Sequence, residues 1–262
     1  MKVLKEKNSN PNPKSLQPQN ETDVKNEINF LFFLLLLFSC LSFFQNPLFL
    51  NSQLSAAIYL KPYKFTRDTF TDRIPFWRED LSEFKGKPNL TYLEIGVHEG
   101  RSALWMLENI LTDPTSTIVI IDDFGEHSYN TFISNVSLSG QAYKFKILKG
   151  LSTDKIKEVP WNSIDIAYID GSGRSDIMLA DLINAWDRVK QGGVIICNRY
   201  SMTKHLRWAL NAPAGDLGPV GAINAFLERY KPHLKIVRFM SNFVIVRKLT
   251  EQDSKQVSKT SE

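Results

Sequence analysis

The sequence predicts one doubly wound α/β domain over about residues 59–249. Three observations point to it: short Val- and Ile-rich runs recur along this stretch, amphipathic segments of helical period lie between them, and Gly or Asp marks the junctions. The runs TYLEIGV from Thr91, STIVIID from Ser116, KFKILKG from Lys144, SIDIAYID from Ser163 and GGVIICN from Gly192 read as five strands. They are apolar nearly throughout, as parallel strands covered on both faces are. Between them, RSALWMLENIL from Arg101 and SDIMLADLINAWDRVK from Ser175 carry apolar residues at helical spacing, which predicts right-handed crossovers and a parallel sheet. A further helix, GAINAFLERY from Gly221, ends at Lys231-Pro232. The β-rich runs LKIVRFM and NFVIVRK, broken at Ser241-Asn242, then predict an antiparallel hairpin at a sheet edge.

The flanks are of a different kind. Residues 1–27 are rich in Lys, Asn, Pro, Ser and Gln and poor in large apolar side chains, so they are expected to form a disordered polar arm. Residues 28–50 read as a transmembrane or signal segment, because 28–44 (INFLFFLLLLFSCLSFF) contains no charge. That run is long for the apolar part of a signal peptide and follows a long arm, which favours an uncleaved single-pass anchor over export with cleavage near Ser55, Ala56 and Ala57. Lysines and an arginine on both sides of the run (Lys14, Lys25, Lys61, Lys64, Arg67) leave its orientation open. The sequons at Asn89 and Asn135 do not decide it either. Residues 250–262 lack apolar periodicity and are expected to be a solvated tail.

With 262 residues and 43% apolar content, the chain can build one sizeable core plus these appendages. A formal charge of +4 with scattered basic residues excludes the footprint of a nucleic-acid binder. The two cysteines, Cys40 and Cys197, both lie in apolar runs and suggest neither a disulfide framework nor a thiolate metal site.

In an open parallel sheet, ligands bind beyond the carboxyl ends of the strands, so the residues there carry the functional weight. The first strand runs into Glu94-Ile95-Gly96-Val97-His98-Glu99-Gly100-Arg101-Ser102, where the glycines permit a tight turn and close approach before a helix N-terminus. Glu94 suits a cationic amine. The second strand ends in Asp122, about 25 residues further on, the place from which a carboxylate accepts hydrogen bonds from ribose hydroxyls. A dinucleotide site wants G-x-G-x-x-G for its pyrophosphate, whereas here Glu94 would repel a diphosphate. A zwitterionic sulfonium ligand fits the turn better, and a nicotinamide-dependent oxidoreductase is disfavoured.

The run YLEIGVHEGRSALWMLENIL, followed by IVIIDDF, KILKGLSTD and IDIAYIDGSGRSDIMLADLINAWDRVKQGGVII, resembles the Rossmann-like class I S-adenosylmethionine-dependent methyltransferases whose first motif is E-I-G-x-x-x-G-x-S, small-molecule and sugar O-methyltransferases among them. The resemblance implies S-adenosyl-L-methionine as cofactor. Glu94, Gly96, Gly100 and Ser102 would line its methionine end, Asp122 would take the ribose, residues 150–152 with Ser152 would pass near the adenine, and Asp170 would face the transferred methyl group. The acceptor would be a small molecule or a glycan, methylated on oxygen or nitrogen.

Two departures from that family bear on chemistry. Where relatives often carry Asp-Gly-x-His after the fourth strand, this chain has Asp170-Gly171-Ser172-Gly173. Where they often carry paired aspartates after the fifth strand, it has Cys197-Asn198-Arg199-Tyr200. Only Asp170 and Asn198 remain as candidate metal ligands, and Arg199 beside them disfavours a cation, so no metal is expected. Asp170, ending a buried strand at the mouth of the site, is the candidate catalytic base. His98, His127 and His205 are weaker candidates. Asp176 and Asp181, on the helix after the fourth strand, read as solvent-facing or packing-support positions, and Trp105, Trp186 and Trp208 as core or groove-edge aromatics. The loop 199–219, with Lys204, His205, Arg207, Trp208 and Gly215, has the length and the basic, aromatic content of a lid over a sugar or acidic acceptor. A non-catalytic protein that keeps the adenosine pocket is the alternative to an enzyme.

Overall fold

The computed structural model of the protein describes residues 63–200 and 218–253. Seven strands form one sheet: β1 (Thr91–Ile95), β2 (Thr117–Asp122), β3 (Phe145–Lys149), β4 (Ile164–Ile169), β5 (Val189–Asn198), β6 (Leu234–Phe239) and β7 (Phe243–Lys248). Their order is β3-β2-β1-β4-β5-β7-β6. β1 to β5 run parallel, while β7 pairs antiparallel with both β5 and β6. The hairpin expected from the sequence therefore extends the β5 edge, its second strand innermost. The order reverses beside β1, where the chain crosses from the β1–β2–β3 half to β4 and β5, and such a switch point opens a crevice above the strand ends.

Among the described residues, six α-helices accompany the strands: α1 (Ile74–Asp80), α2 (Arg101–Asn109), α3 (Glu126–Leu138), α4 (Ser152–Lys155), α5 (Ser175–Arg188) and α6 (Gly218–Tyr230). Two apolar layers form the core. Successive strand residues alternate between them: Tyr92, Ile166 and Tyr168 enter the layer that contains Trp77, Met106 and Phe132. Leu93, Ala167 and Ile169 enter the one that contains Leu182, Trp186 and Phe226. Both faces are covered, which is why the strand sequences read as continuous apolar runs rather than alternating ones.

Three features differ from the sequence expectation. α1 and the short helical turns at Thr71–Arg73 and Ser82–Phe84 precede β1, in a stretch where the sequence predicted no element. A seven-residue helix carries little periodicity of its own, and α1 is held by tertiary packing: Trp77 is fully buried, edge-on to Tyr168 at 4.8 Å and to Phe70 at 4.9 Å between ring centroids. α3 was not predicted either. Its Ser- and Asn-rich sequence is a poor helix former, and only Phe132, Asn135 and Val136 are buried. Finally, α5 stops at Arg188, and β5 begins at Val189, before the Gly192-Gly193 pair where the strand was expected to start.

The polar arm, the apolar segment, residues 254–262 of the tail and the lid residues Lys204, His205, Arg207, Trp208 and Gly215 lie outside the described residues. Among the described residues, no helix is long and apolar enough to cross a membrane. Asn135 is fully buried, donating to the Lys64 and Glu99 carbonyls and accepting from the Lys64 N–H, so the folded domain cannot present that sequon for modification. Cys197 is buried in the β5 core, where desolvation pushes its thiol far above the ordinary range. Trp105 and Trp186 are buried in the two layers, as expected.

Candidate active site

The site is built at the carboxyl ends of β1, β2 and β4. Beyond β1 the chain turns at Gly96 with φ +88°, and a Cβ there would stand 2.6 Å from the Asp170 carbonyl oxygen and from the Gly171 Cα. Backbone bonds lock the junction: Gly96 N donates to the Ile121 carbonyl at 2.9 Å, and Asp170 N donates to the Ile95 carbonyl at 2.8 Å. The three strand ends thus meet with no room for a side chain, and the floor of the crevice is backbone. Gly100, φ +89°, precedes the first turn of α2, and its Cβ would strike the Phe132 ring at 2.6 Å.

Asp122 ends β2. The His98 N–H donates to its Oδ2 at 2.9 Å and the Phe124 N–H to its Oδ1 at 2.7 Å. These bonds fix the carboxylate and offset the burial that raises its pKa. Both donors have positive φ (His98 +52°, Phe124 +44°), so two strained residues aim their amides at one carboxylate.

Glu94 lies deeper. It is 0% exposed and accepts hydrogen bonds from the Tyr92 hydroxyl at 2.8 Å and from the Ser102 hydroxyl. Burial pushes its pKa up to about 8; the two hydroxyls oppose the shift, and the nearby Asp170 and Asp122 charges add to it. Asp170 closes the other side. The Arg199 Nε donates to its Oδ1 at 2.6 Å, an Arg199 Nη donates to its carbonyl at 3.0 Å, and the Tyr168 hydroxyl donates to its Oδ2 at 3.1 Å. Arg199 adopts φ +65°, a conformation costly for Arg and retained here with two hydrogen bonds to Asp170. Burial opposes the guanidinium's charge, but Asp170 outweighs it and raises the arginine pKa above its ordinary value.

A 480 Å³ cavity runs over these groups, lined by Gly96, Asp122, Ser152, Asp170, Asp181 and Arg199 among others. A 30 Å³ recess shares Gly96, His98 and Asp170 with it and is completed by Ser102, Arg101 and Arg67. Of the residues singled out from sequence, Gly96, Asp122, Ser152 and Asp170 therefore line the main cavity, and Ser102 lines the recess. Glu94 and Gly100 line neither: Glu94 sits beneath Ser102, and Gly100 serves the contact with Phe132. His98 lines both spaces, whereas His127 is exposed on α3. Asp176 is exposed and paired with Arg174, but Asp181 is only 2% exposed and turned into the cavity, so the solvent-facing option holds for the first and fails for the second.

The oxygens considered as metal ligands face guanidinium groups instead. Asn198 Oδ1 accepts from Arg73 Nε at 3.2 Å and Nη2 at 3.0 Å, and Asp170 is held by Arg199. Among the described residues no three His, Cys, Asp or Glu side chains gather to hold a metal. The roles of Arg73, Tyr92 and Tyr168 escaped the sequence reading. The signal for the tyrosines was present, since Tyr92-x-Glu94 and Tyr168-x-Asp170 each place hydroxyl and carboxylate on one face of a strand. Nothing local in the sequence pairs Arg73 with Asn198, 125 positions away.

A switch-point crevice with a fixed carboxylate at the second strand and a glycine floor at the first is where an open α/β sheet binds its ligand. Residues 93–200 match the family model described as a methyltransferase domain. Solved structures share the fold. The O-methyltransferase from Bacillus cereus, solved in complex with S-adenosylhomocysteine, aligns with a TM-score of 0.53 at 18% identity over 76% of this chain and 88% of its own. The O-methyltransferase TomG of Streptomyces achromogenes, involved in tomaymycin synthesis and solved with S-adenosylmethionine, gives 0.54 at 15% identity over 70% and 82%. A Podospora anserina methyltransferase bound to S-adenosylhomocysteine gives 0.55 at 14% identity over 91% and 100%. No curated protein sequence matches the chain.

Proposed function

We propose that this chain methylates an oxygen of a small acceptor molecule with S-adenosylmethionine as donor, and that the site works without a divalent metal. The observation that carries this reading is the pairing at the mouth of the cavity: Asp170 and Arg199 stand together where the cavity opens over β4 and β5. The cofactor fits the residues present. The 480 Å³ cavity is within the usual range of about 300–1,000 Å³ for small-molecule sites. The backbone floor at Gly96 admits a close ligand, and Asp122 keeps acceptor lone pairs for a diol. The cofactor supplies an electrophilic methyl carbon.

The chain's own part is positioning and proton handling. Asp122 would hold the ribose hydroxyls, and Gly96, His98 and Ser102 would border the methionine end beside the 30 Å³ recess. Asp170 has one donor on each carboxylate oxygen and further lone pairs free, so it can accept the acceptor's hydroxyl proton as the new carbon–oxygen bond forms. Arg199 would orient the acceptor oxygen by charge, the task a metal ion performs where carboxylates cluster. Tomaymycin synthesis, in which TomG takes part, is small-molecule chemistry and favours a small acceptor over a glycan. The uncharged run at 28–44 supports an N-terminal membrane anchor, which would keep this chemistry at a membrane surface.

An acceptor screen with isotopically labelled methyl donor tests the reading. Asp170→Asn should lower kcat by about 10²–10⁴-fold, the usual worth of a positioned base, with S-adenosylhomocysteine affinity little changed. Activity should survive EDTA. Loss of activity on chelation, restored by magnesium, would overturn the metal-free mechanism, and a folded protein that binds the cofactor but methylates nothing would favour a binding protein.

A further inference from the structure

The loops that feed the parallel strands lie at the end of the sheet opposite the cavity, and three of them share a composition. The stretch 85–89 (KGKPN) precedes β1, 139–143 (SGQAY) precedes β3 and 160–163 (PWNS) precedes β4, and none of the three contains an acidic residue. Tyr143 is 69% exposed and Trp161 is 65% exposed, the two most exposed large apolar side chains among the described residues. Lys85 and Lys87 are exposed as well, and among the described residues neither pairs with a carboxylate. The acids nearest to these loops are already engaged: Asp165 with Lys190 at 2.8 Å, Glu158 with Lys155 at 2.8 Å, and Asp113 with the Thr115 N–H at 2.8 Å. The exposed face is therefore aromatic and cationic.

The spacing of these groups limits what could cover them. In the order β3-β2-β1-β4 the Tyr143 and Trp161 loops stand three strand spacings apart, about 14 Å, with the lysine loop of β1 between them. A protein partner wants one contiguous core depleted of charge, whereas amphipathic aromatics set apart with lysines between them match a lipid headgroup layer, where Tyr and Trp rings settle and Lys meets anionic lipid. Trp161 brings a further cation, the Arg188 guanidinium 4.7 Å from its ring centroid. The chain also enters the domain at this end. Tyr63, the first described residue, donates its hydroxyl to Glu108 in the last turn of α2 at 2.6 Å, and Thr66 then reaches Glu99 at the cavity end. The uncharged run at 28–44 precedes Tyr63 by 19 positions in the sequence.

We propose that this end of the domain rests on the surface of an anionic lipid bilayer, with Tyr143 and Trp161 in the headgroup layer and Lys85 and Lys87 on the anionic headgroups. The assignment rests on the membrane-anchor reading given above and adds a second contact to it, one that fixes orientation. Gly96, Asp122 and Asp170, at the other ends of the strands, then face away from the bilayer. The acceptor reaches them from water, so it is a soluble molecule rather than a lipid.

The test is tryptophan fluorescence of the purified full-length protein reconstituted into phosphatidylcholine vesicles, with and without phosphatidylserine, that carry lipids brominated near the headgroup. No tryptophan lies before Trp77, and Trp77, Trp105 and Trp186 are buried, so quenching can be assigned by one substitution. Emission should be quenched in the vesicles containing phosphatidylserine, and the quenched component should fall several-fold in Trp161→Phe. A lysine close to an anionic surface contributes about fivefold in affinity, so Lys85→Glu combined with Lys87→Glu should reduce quenching to the level seen without phosphatidylserine. Circular dichroism checks that both variants fold, and each reads the contact independently of the other. A wild type that sediments with vesicles but is not quenched would overturn the lipid-facing assignment and leave the anchor reading intact. So would quenching that persists in Trp161→Phe or that is equal in the two kinds of vesicle. A folded wild type that sediments with neither would overturn the anchor reading and this assignment with it.

Discussion

Three carboxylates crowd the strand ends, and each is handled differently. Asp122 is held by two backbone amides, Asp170 by a guanidinium and a phenol, and Glu94 by two hydroxyls without any cation. Asp122→Ala should weaken S-adenosylhomocysteine binding about 10–100-fold, the value of a charge-assisted hydrogen bond, with Asp122→Asn intermediate; unchanged affinity by calorimetry would remove Asp122 from the ribose site. Glu94 yields a pH prediction. Its pKa rises from an ordinary 4.5 to about 8 in the folded chain, so the native state binds the extra proton across that interval. Stability from Glu94 is therefore fully present below about pH 4.5 and is lost as pH rises through about 8. Glu94→Gln, whose amide needs no proton to be neutral, should melt at a temperature that gains on the wild type from about pH 5 to about pH 9. A melting difference that does not vary with pH would mean that Glu94 is ionised throughout.

Among the elements, the turn after β1 does most to shape the site. Gly96 and Gly192 have similar backbone angles, φ +88° and +79°, but different surroundings: a Cβ at Gly96 meets the β4 backbone at 2.6 Å, whereas at Gly192 nothing lies within 4 Å. Gly192→Ala should cost about 1 kcal/mol, for the left-handed conformation alone. Gly96→Ala should cost well over that, since the clash is with backbone that must move, and should also abolish cofactor binding by parting β1 from β4. Comparable melting losses for the two variants would show that the β1–β4 approach has slack. The glycines of this turn were legible in the sequence because a strand-to-helix junction at a switch point demands them. Their separate duties were not, because only the fold shows that Gly100 faces Phe132 while Gly96 faces Asp170.

At the scale of the whole molecule, the segment before β1 ties the two sides of the domain together. Trp77 packs on Tyr168, the residue that bonds Asp170. Arg238 of β6 pairs with Glu79 at 2.9 Å and with Asp80, Arg247 of β7 pairs with Glu83, and Arg73 holds Asn198 at the end of β5. Trp77→Ala should destabilise the fold by about 3–5 kcal/mol, as truncation of a fully buried aromatic does, and should lower activity further at temperatures where the protein is still folded. Normal kcat in the folded variant would separate this packing from the chemistry. For the anchor reading, the full chain should resist carbonate extraction from membranes while a chain lacking residues 1–50 should not; release of both would remove the membrane from the account.

The sequence by itself determined the succession of elements along the chain: apolar runs covered on both faces, helical crossovers between them, a terminal hairpin, and Asp122, Asp170 and the glycine turn at strand ends. These are local signals, since periodicity, turn chemistry and strand termini are written in neighbouring residues. Tertiary structure alone decided which of these residues reach the cavity. It sank Glu94 beneath Ser102, turned Asp181 inward from a helix that reads as amphipathic, placed Arg199 on Asp170, and recruited α1 through Trp77. Each of those outcomes depends on contacts between elements far apart in the chain, where burial and the partner that approaches, rather than residue type or spacing, set what a charged side chain does.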